Sequence, residues 1–146
     1  MDSSNNTFEI SSSTLLMMGD SVTFKKIGDM TPEDTVMTIS PFGAASINIK
    51  SIGMSKKLFT ILDSFGNTIN LPDTQLVMIE MNDDYILKQV DKLSKGDIFY
   101  SFCTKENKIV LSVIKDIYQT ENEMVYQFTC DKKYFITQSF IVSNKI

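Results

Sequence analysis

Apolar residues along this chain occur in short runs that turn residues separate. Runs such as Leu58–Leu62 and Leu76–Met81 are divided by polar segments that contain Pro, Gly, Ser or Asn. Aliphatic and aromatic side chains fit the pleated, half-buried surface of a strand, whereas those four residue types favour turns. No segment keeps a 3.6-residue apolar period over ten or more residues, as an amphipathic helix would. The pattern predicts an all-β fold of many short strands.

The segment from Met124 to Asn144 carries the clearest strand signal. It holds an aromatic-rich run at Val125–Thr129, a charged turn at 131–133, and two apolar runs at Tyr134–Ile136 and Phe140–Val142. A polar turn between runs of β-branched and aromatic residues is typical of a hairpin. We expect the last strand to be a core element and not a tail.

The second half of the chain repeats the motifs of the first half in the same order. The aligned pairs are Ile27–Asp34 with Val90–Asp97, Ile49–Ile52 with Ile114–Ile117, Leu58–Ile61 with Val125–Phe128, and Leu76–Met78 with Phe140–Val142. All four offsets are similar, so the pattern indicates an internal duplication of about 60 residues. We expect pseudo-symmetric halves at about 22–80 and 85–144, within one domain that spans 15–146.

Residues 1–14 differ from the rest of the chain. They are polar, rich in Ser and Asn, and show no apolar period. Such a segment favours a flexible N-terminal arm. Phe8 and Ile10 are its apolar side chains beyond the first residue, so we expect them to be the anchors by which the arm docks on a partner.

Composition excludes several functional classes. The 146 residues carry a net charge of −4 and include no His, Arg or Trp. Without His the commonest general base and metal ligand are missing, so we expect no metal and no cofactor. Without Arg the footprint of a nucleic-acid binder is missing. No apolar run is long enough to span a bilayer and no signal peptide is visible, so we expect no membrane association and no secretion by a signal peptide. The protein is then soluble, and either intracellular or part of a virion.

Three motifs in order resemble those of the Hint superfamily, the Hedgehog and intein self-processing domains. Ile27–Val36 resembles the family's early I-x-D-L-x-x-G-D-x-V element, and Gly66–Gln75 resembles its central G-x-x-I-x-L-T-x-x-H motif. The ending Val125–Asn144 resembles VYDLTV…NFI…GIVVHN. The resemblance covers Leu15 to Asn144. It implies a compact, disk-like all-β fold of two pseudo-symmetric halves.

The resemblance also implies a self-processing site, but this chain departs from it at five of the six matched positions. Members open with a Cys or Ser nucleophile that attacks the preceding carbonyl; the matching position here is Leu15 or Leu16. The other family positions are occupied by Pro72 and Gln75 in the central motif, by Gln127 in the tyrosine strand, and by Ser143 and Asn144 at the end. Only Asn144 matches the family residue, and Gln cannot transfer a proton near neutral pH.

We therefore expect a non-catalytic Hint/intein-like module that acts as a structural or interaction protein. Hint domains travel with phages and large DNA viruses, so the resemblance implies protein partners in a viral or phage particle. The alternative is a residual self-processing domain, for splicing or autocleavage, with a rearranged site. Ser11, Ser12, Ser13 and Thr14 offer hydroxyl nucleophiles, but no base for them is evident. In either case we expect 11–16 to lie beside 143–144, with Gln75 and Gln127 nearby.

Overall fold

The computed structural model describes residues 7–39, 42–54, 57–121, 123–130 and 132–143. These residues form fifteen strands and two short 3-10 helices, which confirms the all-β expectation. The strands are β1 Thr7–Ser11, β2 Leu15–Met17, β3 Phe24–Lys26, β4 Thr35–Ile39, β5 Gly43–Ser46, β6 Asn48–Met54, β7 Leu58–Asp63, β8 Thr68–Pro72, β9 Leu76–Met81, β10 Asp84–Gln89, β11 Ile98–Cys103, β12 Lys108–Thr120, β13 Met124–Thr129, β14 Tyr134–Ile136 and β15 Ile141–Ser143. The 3-10 helices are Ile27–Asp29 and Val90–Lys92.

The strands assemble into three antiparallel sheets. The large sheet has the order β5-β4-β14-β15-β9-β11-β12-β7-β8, and β10 pairs with β9 beside this path. The small sheet has the order β1-β13-β6, and β2 and β3 form a separate hairpin. Strands from the two ends of the chain are neighbours in both larger sheets, so the fold depends on contacts between residues far apart in sequence.

The C-terminal hairpin β14–β15 lies at the centre of the packing. Alternate residues of a strand face opposite sides of the sheet, and Phe135 lies in the main hydrophobic cluster whereas Tyr134 and Ile136 lie in a second cluster. In the main cluster, the ring of Phe140, just before β15, stacks on that of Phe99 with centroids 3.7 Å apart. The hairpin is therefore buried on both faces, as expected for a core element.

The duplication is visible in two loops that have the same hydrogen bonds. After the first 3-10 helix, the carboxylate of Asp34 accepts the Thr31 N–H at 2.9 Å and lies 3.0 Å from the Lys25 ammonium. The loop after the second helix repeats this with Asp97, Ser94 and Lys88, at 2.9 and 3.4 Å. In the first loop the Thr31 N–H, followed by Lys25, lowers the pKa of the Asp34 carboxyl.

The strand pairing also follows the duplication. In the repeat, β6 corresponds to β12 and β7 corresponds to β13. The structure pairs β6 with β13 and β12 with β7, so each half supplies the partner strand of the other. Both pairs contain an irregularity in register, at Val125/Tyr126 and at Ile114/Asp116. The two pseudo-symmetric halves thus form one folding unit.

Residues 7–11 form a strand of the small sheet, in contrast to the projecting arm that the sequence predicts. β1 pairs with β13 over all five of its residues. Ile10 is 0% exposed and lies in the main core, so it cannot serve as an anchor for a partner. The physical reason is that the edge of β13 would otherwise leave backbone groups unpaired. Residues 1–6 and the Phe8 side chain lie outside the described part of the chain.

Replacing Ile10 by Ala tests this packing. We expect Ile10→Ala to lower the free energy of unfolding by about 2–5 kcal/mol, because the substitution leaves a cavity in the core. The measurement is urea unfolding followed by circular dichroism. Phe65→Ala is a suitable control, because Phe65 is 60% exposed, and we expect it to change stability by less than about 0.5 kcal/mol. Equal unfolding midpoints for the two variants would contradict the buried position of Ile10.

Candidate functional site

Leu16, the position that the resemblance matches to the nucleophile, is a core residue. It lies in the middle of β2, opposite Lys25, and is 0% exposed within the main hydrophobic cluster. An isolated bridge also joins it to Thr137, just after β14. A buried aliphatic side chain contributes packing and offers no group that can attack a carbonyl.

The peptide just before Leu16 is held by a glutamine that the sequence analysis did not single out. The N–H of Leu15 donates to Oε1 of Gln138 at 2.8 Å, and the N–H of Gln138 donates to the carbonyl of Leu15 at 3.2 Å. The Gln138 amide group also lies 3.3 Å from the Thr68 carbonyl, to which it donates. Residues 15 and 16 therefore meet the C-terminal hairpin at the turn between its strands.

Gln75 and Ser143 are brought together, as the resemblance implies. Gln75 follows β8 and is 1% exposed; its Nε2 donates to the carbonyl of Ser143 at 2.9 Å and to that of Leu76 at 3.0 Å. Ser143 is 0% exposed at the end of β15. Both amide hydrogens of Gln75 are thus used to tie the start of β9 to the C-terminal strand.

The remaining family positions have separate places in the fold. Pro72 is the buried last residue of β8, and the Gln75 N–H donates to its carbonyl at 3.1 Å. Gln127 belongs to the small sheet, where it is half-buried on β13 between Glu9 and Lys50. Asn144 lies outside the described residues.

A polar cluster that the sequence analysis did not assemble surrounds the hydroxyl groups after β1. Oγ of Ser13 donates to Oε1 of Glu123 at 2.6 Å. Nδ2 of Asn70 lies 3.2 Å from Oε2 of Glu123 and 3.3 Å from Oγ of Ser13. The hydroxyls of Ser11 and Thr14, both fully buried, donate to the Asn70 carbonyl at 2.6 and 3.0 Å. We define these five residues as the hydroxyl cluster.

The hydroxyl cluster contains a carboxylate within hydrogen-bonding distance of a serine, which is the arrangement of a base and a nucleophile. The sequence alone points to the serines but not to this base. Glu123 is 110 residues from Ser13, although it directly precedes the strand Met124–Thr129 that carries the tyrosine motif. That position beside a recognised motif is the one signal that could have indicated it.

A buried carboxylate supports the turn next to the site. Asp63 is 0% exposed; its Oδ1 accepts the N–H groups of Phe65 and Asn67, both at 2.9 Å. Its Oδ2 accepts the hydroxyl of Ser139 at 2.8 Å. Because three donors satisfy it, this carboxylate fixes the β7–β8 turn against the C-terminal hairpin. Among the described residues no group of three or more Asp, Glu, Cys or His side chains is arranged to hold a metal ion.

Comparison with solved structures shows the fold. A mutant of the Ssp DnaB mini-intein superposes with a TM-score of 0.79 at 21% identity, covering 95% of this chain and 92% of that chain. The chain has the intein fold. The DnaB intein from Synechocystis superposes with a TM-score of 0.77 at 18% identity, covering 94% of this chain and 99% of that chain. An intein from a hyperthermophile gives 0.76 at 11% identity, with coverages of 94% and 99%.

At these identities the likeness shows the fold alone. No family model matches this sequence, and no curated protein does. The Hint/intein-like all-β fold, which the motifs predict, is confirmed. Within the part of the chain that the structure describes, no helix has the length and apolar character needed to span a bilayer.

The hydrogen bonds of Gln75 can be tested by truncation. We expect Gln75→Ala to lower the free energy of unfolding by about 1–3 kcal/mol, because it leaves the buried Ser143 carbonyl without this donor. Thermal and urea unfolding measure the change. Gln89→Ala removes the same group from an exposed position and should alter stability by less than about 0.5 kcal/mol. If both variants unfold alike, the tie between Gln75 and β15 contributes nothing.

Proposed function

We propose that this chain is an intein-fold module that does not process itself and acts as a structural or interaction protein. The observation that carries the proposal is the pair of hydrogen bonds that the Gln75 side chain donates. Its side-chain amide joins two parts of the fold through backbone carbonyls and is almost completely buried. The uncharged Gln75 amide therefore connects β9 and β15 through hydrogen bonds.

The chemistry of self-processing supports the same conclusion. An acyl shift needs a nucleophile beside the scissile carbonyl and a group that donates a proton to the departing amide nitrogen. A glutamine amide acts neither as an acid nor as a base near neutral pH, and Leu16 has no nucleophilic atom. The neutral hydrogen bonds made by Gln75 and Gln138 instead hold the peptide of Leu15 and the end of β15 in one ground-state arrangement.

The partner that we propose is a protein. Its placement in a viral or phage particle rests on the resemblance to Hint domains. A surface with a net charge of −4 and no arginine does not favour a polyanion as the partner. A module of this kind would contribute a rigid sheet surface on which another protein can pack.

Intact-mass spectrometry tests the loss of self-processing. The full chain is expressed between two folded flanking domains, and we expect a single species with the mass of the whole fusion after prolonged incubation. Added thiol should not change this mass, because no thioester forms at Leu16. Splicing, or cleavage beside Leu16 or after Asn144, would overturn the proposal.

One observation favours a second candidate function, autocleavage at the peptide bond between Ser12 and Ser13. With Oγ of Ser13 only 2.6 Å from Oε1 of Glu123, the carboxylate can take the hydroxyl proton as the oxygen attacks the Ser12 carbonyl carbon. The carbon–nitrogen bond then breaks and the nitrogen accepts a proton, which leaves Ser12 joined to Ser13 by an ester. Water hydrolyses the ester and releases residues 1–12.

Hydroxylamine distinguishes this candidate from the first, because it cleaves esters and leaves amides intact. If Ser13 forms an ester, the wild-type chain should lose residues 1–12 in hydroxylamine, and Ser13→Ala and Glu123→Gln should both prevent this. Ser12→Ala is the matched control and should still be cleaved. A wild-type chain that keeps its full mass in hydroxylamine excludes the second candidate.

A further inference from the structure

The outward face of the hairpin formed by β11 and β12 is apolar. The register places Ile98 opposite Val113, Tyr100 opposite Leu111, and Phe102 opposite Ile109. Residues two apart on a strand share a face, so these three cross-strand pairs lie in a row on one side of the sheet. We define the hairpin face as the members of this row other than Phe102, which is mostly covered: Ile98, Tyr100, Ile109, Leu111 and Val113.

The hairpin face is exposed on a part of the sheet where β12 pairs with β11 alone. Leu111 is 50% exposed, Ile109 is 42%, Ile98 is 39% and Val113 is 37%. β12 pairs with β11 over Lys108–Val113 and with β7 only from Ile114 onward, and β11 meets β9 at Phe99 opposite Ile79. An antiparallel strand with one side in water normally presents polar residues on that side. Here the aliphatic residues face outward.

The opposite side of the same hairpin is buried and carries Phe99, which belongs to the main core, together with two serines. Ser101 and Ser112, which alternate with the apolar residues, are 4% and 2% exposed on the inner side. The Ser101 hydroxyl is satisfied there by the Ser139 carbonyl, and the Ser112 hydroxyl lies 2.9 Å from that of Ser64. Two hydroxyls are buried beside Phe99 while the aliphatic groups of the row are exposed, so hydration alone does not account for the exposed row.

The hairpin face is also held rigid and extended at one end. The Tyr100 hydroxyl donates to the Asp84 carbonyl at 3.0 Å, which fixes its ring across the sheet. Phe42 is 54% exposed and packs edge-on against Phe102, with ring centroids 5.8 Å apart. A preorganised apolar surface loses little conformational entropy when it is covered.

Charged pairs of mixed sign flank the two ends of the hairpin. Lys95 and Asp116 lie 3.9 Å apart towards the end marked by Ile98 and Val113. Glu106 and Lys108 lie 2.9 Å apart at the turn. A partner with one dominant charge would be repelled by one member of each pair. In a second copy whose hairpin runs antiparallel, the Glu106–Lys108 pair lies against the Lys95–Asp116 pair of the first copy. Each charge can then face a charge of the opposite sign.

We propose that the hairpin face is the interface of a symmetric dimer formed by two copies of this chain. A two-fold axis parallel to the sheet and perpendicular to the strands reverses the strand direction and brings the central Tyr100–Leu111 pair against its own copy. The aliphatic pair Ile98–Val113 then faces the other end of the partner's row. The inference goes beyond the proposed function, because it depends on this surface alone.

The hairpin face is small for a dimer interface. β11 has six residues, so the row is about 20 Å long, and neighbouring strands lie about 4.8 Å apart. A face of this length that is only two strands wide covers less than the roughly 800 Å² per partner that a stable complex buries. The dimer is therefore weak and depends on protein concentration.

Sedimentation velocity over about a hundredfold range of concentration tests the proposal. The wild-type chain dimerises as concentration rises. Leu111→Lys and Leu111→Glu each lower the association constant at least about tenfold, because like charges then face each other at the axis. An equimolar mixture of these two variants regains association as a heterodimer. Val22→Lys is the matched control, because Val22 is 75% exposed outside the hairpin face, and it associates as the wild type does.

The mixture makes the test independent of folding defects, since a misfolded variant would not regain association when mixed. A wild-type chain that stays monomeric over the whole range overturns the proposal, even if another protein is later found on this face. A Val22→Lys variant that fails to associate also overturns it, as does a mixture that stays monomeric. None of these outcomes bears on self-processing.

Discussion

The burial of the C-terminal hairpin on both faces is the constraint on which the rest of the structure depends. All six residues of β14 and β15 are buried. β14 pairs with β4 and β15 pairs with β9, so the hairpin joins two early strands that do not otherwise pair with each other in the sheet order. Its two faces separate the main cluster, with Phe135, from the second cluster, with Ile136. Losing this hairpin would expose both clusters to water at once.

The duplicated halves depend on each other for the same reason. The local part of each repeat is the loop in which a carboxylate, Asp34 or Asp97, accepts a backbone N–H three residues before it. Such a loop forms from nearby residues alone. The strands that follow are exchanged, since β6 pairs with β13 and β12 pairs with β7. A half by itself would leave unpaired strand edges, so the repeat supplies symmetry and not independent stability.

At the candidate site, neutral side chains connect segments that are far apart in sequence: Gln138 contacts Leu15, and Gln75 contacts Ser143. Burying a carboxyl side chain is costly unless several partners satisfy it, as three donors do for Asp63. Gln75 and Gln138 avoid this cost, because an amide both donates and accepts without a charge. The segments that meet here are tied together by hydrogen bonds that need no proton transfer. The carboxylate of Glu123 is only half-buried and belongs to the separate hydroxyl cluster.

The sequence by itself determined most of the strands, the turns and the repeat, because alternation and turn chemistry are local properties. It also pointed to the joint between Gln75 and Ser143, through motifs that keep their order. The tertiary structure alone decided that Ile10 is buried and that Ser13 meets Glu123, 110 residues away. It also decided which side of β12 faces water, since a strand with apolar residues on both sides carries no local sign of its orientation. These features follow from the order of strands in the sheets, which residue propensities do not encode.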